Sequence, residues 1–172
     1  MNAATDENAT STHSGHRTVI HGPDAVHDNL CRLVAGAESQ IQVYGPRLEP
    51  MLFSTTRLTD ALTAFLARNR RNRVELLVED TRQVLRDDAR LVSLLQKLSD
   101  YAELRELGEE DRGQRDLFVC VDRRSYLQQP DISRPECMVA DDNRDIAMIL
   151  ASRFNDCWHR AAPVALSRTL GL

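Results

Sequence analysis

The chain has 172 residues, 22 cationic and 26 anionic, giving a net charge of −4 and a pI of about 5.7. With 42% hydrophobic and 28% charged residues it can bury one substantial core. The acidic balance argues against a broadly basic nucleic-acid-binding protein but leaves a local basic patch open. No apolar run reaches the roughly 18 residues that a membrane span needs.

The first residues, MNAATDENATSTHSGH, are polar and lack an apolar signal region. A cytoplasmic location is therefore expected, and residues 1–21 are predicted to be a disordered polar leader. His13, His16 and His21 are irregularly spaced in it, which does not predict a metal site. The folded domain is predicted over 22–162, followed by a short tail over 163–172.

Gly22-Pro23 opens the domain, with Pro23 suited to a first helical turn. Val26, Leu30, Leu33 and Val34 then recur at helical spacing as far as Gly36. Residues 39–44 alternate polar and apolar and predict a strand, closed by Gly45-Pro46. Residues 47–53 read as a loop. Leu58, Ala61, Leu62, Phe65 and Leu66 mark a second helix that runs out into the arginine-rich residues 68–73.

Val74 to Val78 reads as a second strand, ended by Glu79-Asp80. A polar stretch holding Arg82, Arg86 and Arg90 precedes a leucine helix marked by Leu91, Leu94, Leu95 and Leu98. The four-residue spacing of those arginines predicts one basic stripe, with Asp87 and Asp88 beside it on a solvated face. Residues 102–107 form a short strand, 108–115 a polar turn, and the wholly apolar 117–121 a central strand. Asp122-Arg123-Arg124 turns the chain into a strand over 125–127. Another strand is read at 136–139, and a final helix carries Leu150, Phe154 and Trp158 at four-residue spacing. Helical crossovers between the early strands imply an α/β fold, a mixed sheet with helices on both faces.

The four cysteines, Cys31, Cys120, Cys137 and Cys157, form no CxxC pair and read as buried thiols. No P-loop, GxGxxG, HExxH or GxSxG motif occurs. No cofactor and no metal are expected.

This element order, with Ile41-Gln42-Val43-Tyr44, Val74 to Asp80, and Leu104 to Leu107 followed by Leu117 to Asp122, resembles one half of the phospholipase D-like fold. The likeness is to small bacterial domains of unassigned function. The family's motif is His-x-Lys, four residues, then Asp; its His is the nucleophile, its Lys binds phosphate, and two motifs meet from two halves or two subunits. Asp122 matches the aspartate, whereas Leu117 stands at the lysine position and Arg115 at the nucleophile. An arginine stays protonated and offers no lone pair for attack. Asn143 loosely echoes the family's downstream asparagine. The resemblance therefore implies a degenerate catalytic motif.

Arg115 and Asp122 are candidate ligand-binding residues, because a guanidinium at that position can still hold a phosphate or carboxylate. Asp80, Arg82 and Arg86 join them, since open α/β sheets bind ligands beyond their strand ends. Glu79 and Asp80 are adjacent on a strand and so make a poor acid–base pair; capping of the next helix is the expected role. Arg68, Arg70, Arg71 and Arg73 lack interleaved aromatics and read as a solvated helix end.

The expected function is a non-catalytic binding or regulatory module that pairs with itself, forming a homodimer, or with another protein. A phosphate-bearing ligand is admitted, and nucleic acid is not expected. The alternatives are a diverged phosphodiesterase or nuclease around Asp80, Arg115 and Asp122, and an anionic-ligand sensor using the arginines alone.

Overall fold

The computed structural model describes residues 15–166. In chain order these form β1 (Arg17–His21), α1 (Pro23–Gly36), β2 (Gln40–Gly45), α2 (Pro50–Phe53), α3 (Thr56–Arg68) and β3 (Arg73–Val78). There follow α4 (Thr81–Asp87), α5 (Ala89–Lys97), β4 (Ala102–Glu106), β5 (Leu117–Val121), β6 (Ser125–Gln129), β7 (Glu136–Ala140), α6 (Arg144–Arg160) and β8 (Ala162–Pro163).

One sheet runs β1-β7-β6-β5-β2-β3-β4-β8. β2, β3 and β4 are parallel because helices carry the chain back between them, and the remaining pairings are antiparallel. Residues of α1 to α5 build the larger core on one face, and α6 alone builds the smaller core on the other. This is the predicted mixed sheet covered on both faces. All five residues of β5 are buried, as expected of a central strand.

Residues 50–53, read as part of a loop, form the one-turn helix α2, and three further readings depart from the structure. Arg17–His21, assigned to the leader, is a strand paired antiparallel with β7 from Arg17↔Ala140 to His21↔Glu136. It is an edge strand with four of five residues exposed, so it shows no buried alternation to read. Residues 1–14 of that leader and 167–172 of the tail lie outside the described residues. The start of the tail is ordered: β8 adds to β4, the Val164 N–H donates to the Leu104 carbonyl, and Leu166 packs on the larger core.

The arginine stripe is the third. α4 ends at Asp87 and α5 begins at Ala89, so Arg90 lies on a different helix from Arg82 and Arg86. Asp88, read as part of a solvated face, is fully buried between the two helices.

Arg153 helps to fasten α6 to the sheet. Arg153 donates to both oxygens of Asp116 at 2.6 and 2.9 Å, and its guanidinium lies over the rings of Tyr44 (4.5 Å) and Phe118 (5.6 Å). Those rings are themselves stacked, 4.9 Å between centroids. Asp116 holds the Arg153 guanidinium well above its ordinary pKa. Arg153→Ala leaves a largely buried carboxylate unpaired. It is expected to cost about 2–3 kcal/mol, discounted from a fully buried pair because Arg153 is one-third exposed. Thermal melting checks this as a fall of roughly 5–10 °C.

Candidate functional site

The carboxyl ends of β2, β3 and β4 meet the β4–β5 connection and the β6–β7 loop at one rim of the sheet. Two depressions of about 400 and 330 Å³ adjoin there and share Glu79. The first is lined by Glu79, Asp80, Thr81, Arg82, Glu106 and Arg112. The second includes Arg47, Gly113, Arg115, Ile132 and Ser133. Asp80, Arg82 and Arg115 are thus brought to one rim.

Short local contacts shape it. Asp80 accepts the Gln83 N–H at 3.0 Å and caps α4, the role its place predicts. Glu79, released from capping, accepts the Gly113 N–H at 2.9 Å and pins the β4–β5 connection. Glu106 accepts from the Thr81 hydroxyl and from Arg112, both at 2.7 Å. Arg115 directs Nε and Nη2 to Asp131 at 3.2 Å and Nη2 to the Ser133 hydroxyl at 2.9 Å. The hydroxyl and N–H of Ser133, together with Arg115, hold the Asp131 carboxyl at about 2, so this pair stays ionised. Leu117 is buried in the core, against Gly45. Arg82 is exposed, and its guanidinium has no partner among the described residues.

Two candidates are elsewhere. Arg86 is exposed and folds back onto the neighbouring Asp87 at 2.8 and 3.0 Å, and it lines neither depression. Asp122 stands at the far end of β5 from Arg115, about 20 Å away along the strand. Its carboxylate accepts the N–H groups of Glu38, Ser39 and Gln40 and the Ser39 hydroxyl, all at 2.8–2.9 Å. Burial works to raise this carboxyl, but those donors outweigh it and hold the pKa below the ordinary value. Asp122 therefore fastens the α1–β2 turn to the end of β5, and Arg115 and Asp122 share no cleft.

Arg47, Glu106 and Arg112 belong to the rim but were not singled out from the sequence. The one available signal was position, just beyond the ends of parallel strands. The histidines of the folded region have local partners: His27 Nε2 lies 2.7 Å from Thr55 Oγ1, and His159 Nδ1 lies 2.6 Å from the Asn155 carbonyl. All four cysteines are buried and free, and burial raises Cys120 to about 11 and Cys137 to about 12. Among the described residues, no group of three His, Cys, Asp or Glu side chains is placed to hold a metal ion. No helix there is long and apolar enough to cross a membrane.

Comparison with solved structures identifies the architecture. Nuc from Salmonella typhimurium, a phospholipase D family member, matches with a TM-score of 0.62 at 15% identity, covering 87% of this chain and 97% of that one. NucT from Helicobacter pylori matches with a TM-score of 0.60 at 9% identity, covering 87% and 99%. TrmBL2, an archaeal chromatin protein described as showing a novel mode of DNA binding, matches with a TM-score of 0.63 at 16% identity. That match covers 91% of this chain but only 57% of TrmBL2. At such identities the likeness is one of fold: the chain has a phospholipase D-like fold of about the length of Nuc and NucT. A search of curated proteins finds no match. The family profile for Domain of unknown function (DUF7931) matches residues 22–170, and the chain belongs to that family.

Proposed function

We propose that this protein is a non-catalytic binding or regulatory module of phospholipase D-like fold that self-associates through its C-terminal rim. The observation that carries the reading is the pair at the start of β5. Arg115, at the nucleophile position, is engaged with Asp131 and Ser133, and Leu117, at the phosphate-binding position, is buried. Neither side chain supplies a lone pair for attack on phosphorus.

The charge count separates this reading from an anion sensor. In the larger depression Glu79, Asp80 and Glu106 face only Arg82 and Arg112. A free phosphate would meet a net negative wall there. A protein surface suits the rim better, because exposed Met51 (72%) and Leu85 (42%) stand on the short helices α2 and α4 that leave it.

No turnover is expected on bis-p-nitrophenyl phosphate, phospholipid or nucleic acid. Turnover that disappears in Arg115→Ala would overturn the non-catalytic reading. Light scattering at tens of micromolar is expected to find a dimer, and the double variant Met51→Glu/Leu85→Glu a monomer. A wild-type chain that stays monomeric would overturn the pairing.

A further inference from the structure

The opposite edge of the sheet gathers the amino ends of β2 and β3 and the β5–β6 turn, and the arginines of residues 68–73 divide there into two kinds. Arg68 donates to the Ala37 carbonyl at 2.8 Å and lies over the Phe65 ring. Arg73 donates to the Arg70 and Asn72 carbonyls at 2.7 and 2.8 Å and lies over the Tyr101 ring. Buried Asn72 ties the turn to the Phe65 carbonyl. These contacts fix the turn that carries Arg70 and Arg71. Both are exposed, and neither guanidinium has a partner among the described residues.

A third such arginine lies close by. Arg73 pairs with Gln40, whose carbonyl accepts the Asp122 N–H, so the backbone of Asp122 stands about two strand spacings, roughly 10 Å, from that of Arg73, and Arg123 follows it in the turn. Arg123 is exposed and without a side-chain partner among the described residues. Its φ is +54°, as is that of Asp122, in the turn over 122–124, a conformation that favours glycine. An arginine held at such a cost points to use of its side chain. The carboxylates of this edge without a partner among the described residues are Glu38 and Asp100, since Asp122 is already satisfied by its four donors.

We infer that Arg70, Arg71 and Arg123 bind the sugar–phosphate backbone of duplex nucleic acid. Planar guanidiniums match phosphate oxygens in pairs. The segments that carry Arg70, Arg71 and Arg123 hold none of the exposed large apolar residues, Val19, Met51, Leu85, Met148 and Ile149. The rings beside this turn, Phe65 and Tyr101, are already covered by Arg68 and Arg73, so neither offers a platform for unpaired bases. What remains is contact with phosphates, which carries no base sequence. Asp141 and Asp142, also at this edge, are already paired with Arg32 and Arg124.

Fluorescence anisotropy with a mixed-sequence DNA duplex of about 20 base pairs tests the inference. Three phosphate contacts predict a log–log salt slope of about −2.7, or about 40-fold weaker binding between 50 and 200 mM salt. Arg70→Glu/Arg71→Glu is expected to weaken binding at least tenfold. Arg134→Glu, the same charge change on the β6–β7 loop at the other rim, is expected to leave it unchanged. Arg123→Gly relieves the turn, so it is expected to raise the melting temperature by about 3 °C while making the salt slope shallower by about 1. Misfolding cannot produce that combination. Absence of binding at 50 mM salt, binding indifferent to Arg70→Glu/Arg71→Glu, or equal competition by polyglutamate at matched charge would each overturn the inference, the last in favour of an acidic protein partner.

Discussion

Asp122→Ala is expected to lower stability by about 3–4 kcal/mol, seen as a fall of roughly 10 °C in melting temperature. The substitution removes one acceptor from four donors. Three of them are backbone N–H groups on successive residues, Glu38, Ser39 and Gln40. Hydrogen bonds to a charged acceptor are worth about 1.5–3 kcal/mol each, and water recovers part of that at the exposed Glu38 and Ser39. Asp122→Asn keeps an oxygen for the Oδ1 contacts but turns an amide donor toward the Glu38 N–H, so about half the loss is expected.

The pH dependence follows from the sign of the shift. The folded carboxyl lies below its ordinary value near 3.8, so the unfolded chain binds the proton first. The contribution of Asp122 is complete above that value and is lost as pH falls through the lower, folded pKa. Wild type and Asp122→Ala should therefore converge in stability as pH falls below the ordinary value near 3.8 and through the folded pKa, and a difference that persists at full protonation would exclude the carboxylate as its source. Asp122→Ala is accordingly a poor probe of chemistry, since inactivity in it would report a loosened α1–β2 turn.

The frame was legible in the sequence wherever burial was one-sided and regular. Val74 to Val78 and Leu117 to Val121 are almost wholly apolar and occupy the middle of the sheet. The spacing of Leu150, Phe154 and Trp158 sets α6 on its face, with Phe154 and Trp158 stacked at 5.4 Å. β1 was not legible, because an exposed edge strand has no buried alternation and its partner β7 is remote in sequence. α4 was hidden for a related reason: of its buried residues Thr81, Gln83 and Val84, only one is apolar.

The rim was half legible. Position beyond a strand end brings Asp80, Arg82 and Arg115 together, but Arg112 and Glu106 enter through side-chain contacts that no spacing encodes. Asp122 misled for a geometric reason. Seven residues along an extended strand separate it from Arg115, and that length puts two ends of a strand on opposite edges of a sheet.

Asp88→Asn is expected to stabilise the protein at pH 8 by up to about 3 kcal/mol and to leave it nearly unchanged at pH 4. The Asp88 side chain is fully buried, and neither carboxylate oxygen has a hydrogen-bond partner among the described residues. Its backbone is well used: the N–H donates to the Val84 carbonyl and its carbonyl accepts the Val92 N–H, which joins α4 to α5. Burial, then the nearby charges of Asp87 and Glu49, raises the carboxyl from 3.8 to about 6. Here the folded chain holds the proton more tightly than the unfolded one. Below the ordinary value both states are protonated and nothing is lost. Between about pH 4 and 6 stability falls because the unfolded carboxyl ionises while the folded one keeps its proton, and above that both are ionised and the penalty is constant. The amide introduced by the substitution carries no charge to desolvate, so the variant should lose this slope while the low-pH behaviour set by Asp122 remains. Urea unfolding at pH 4, 6 and 8 measures both effects. If the two proteins ran parallel across that range, the Asp88 carboxyl would not titrate near 6 and the buried junction would have to hold it ionised by other means.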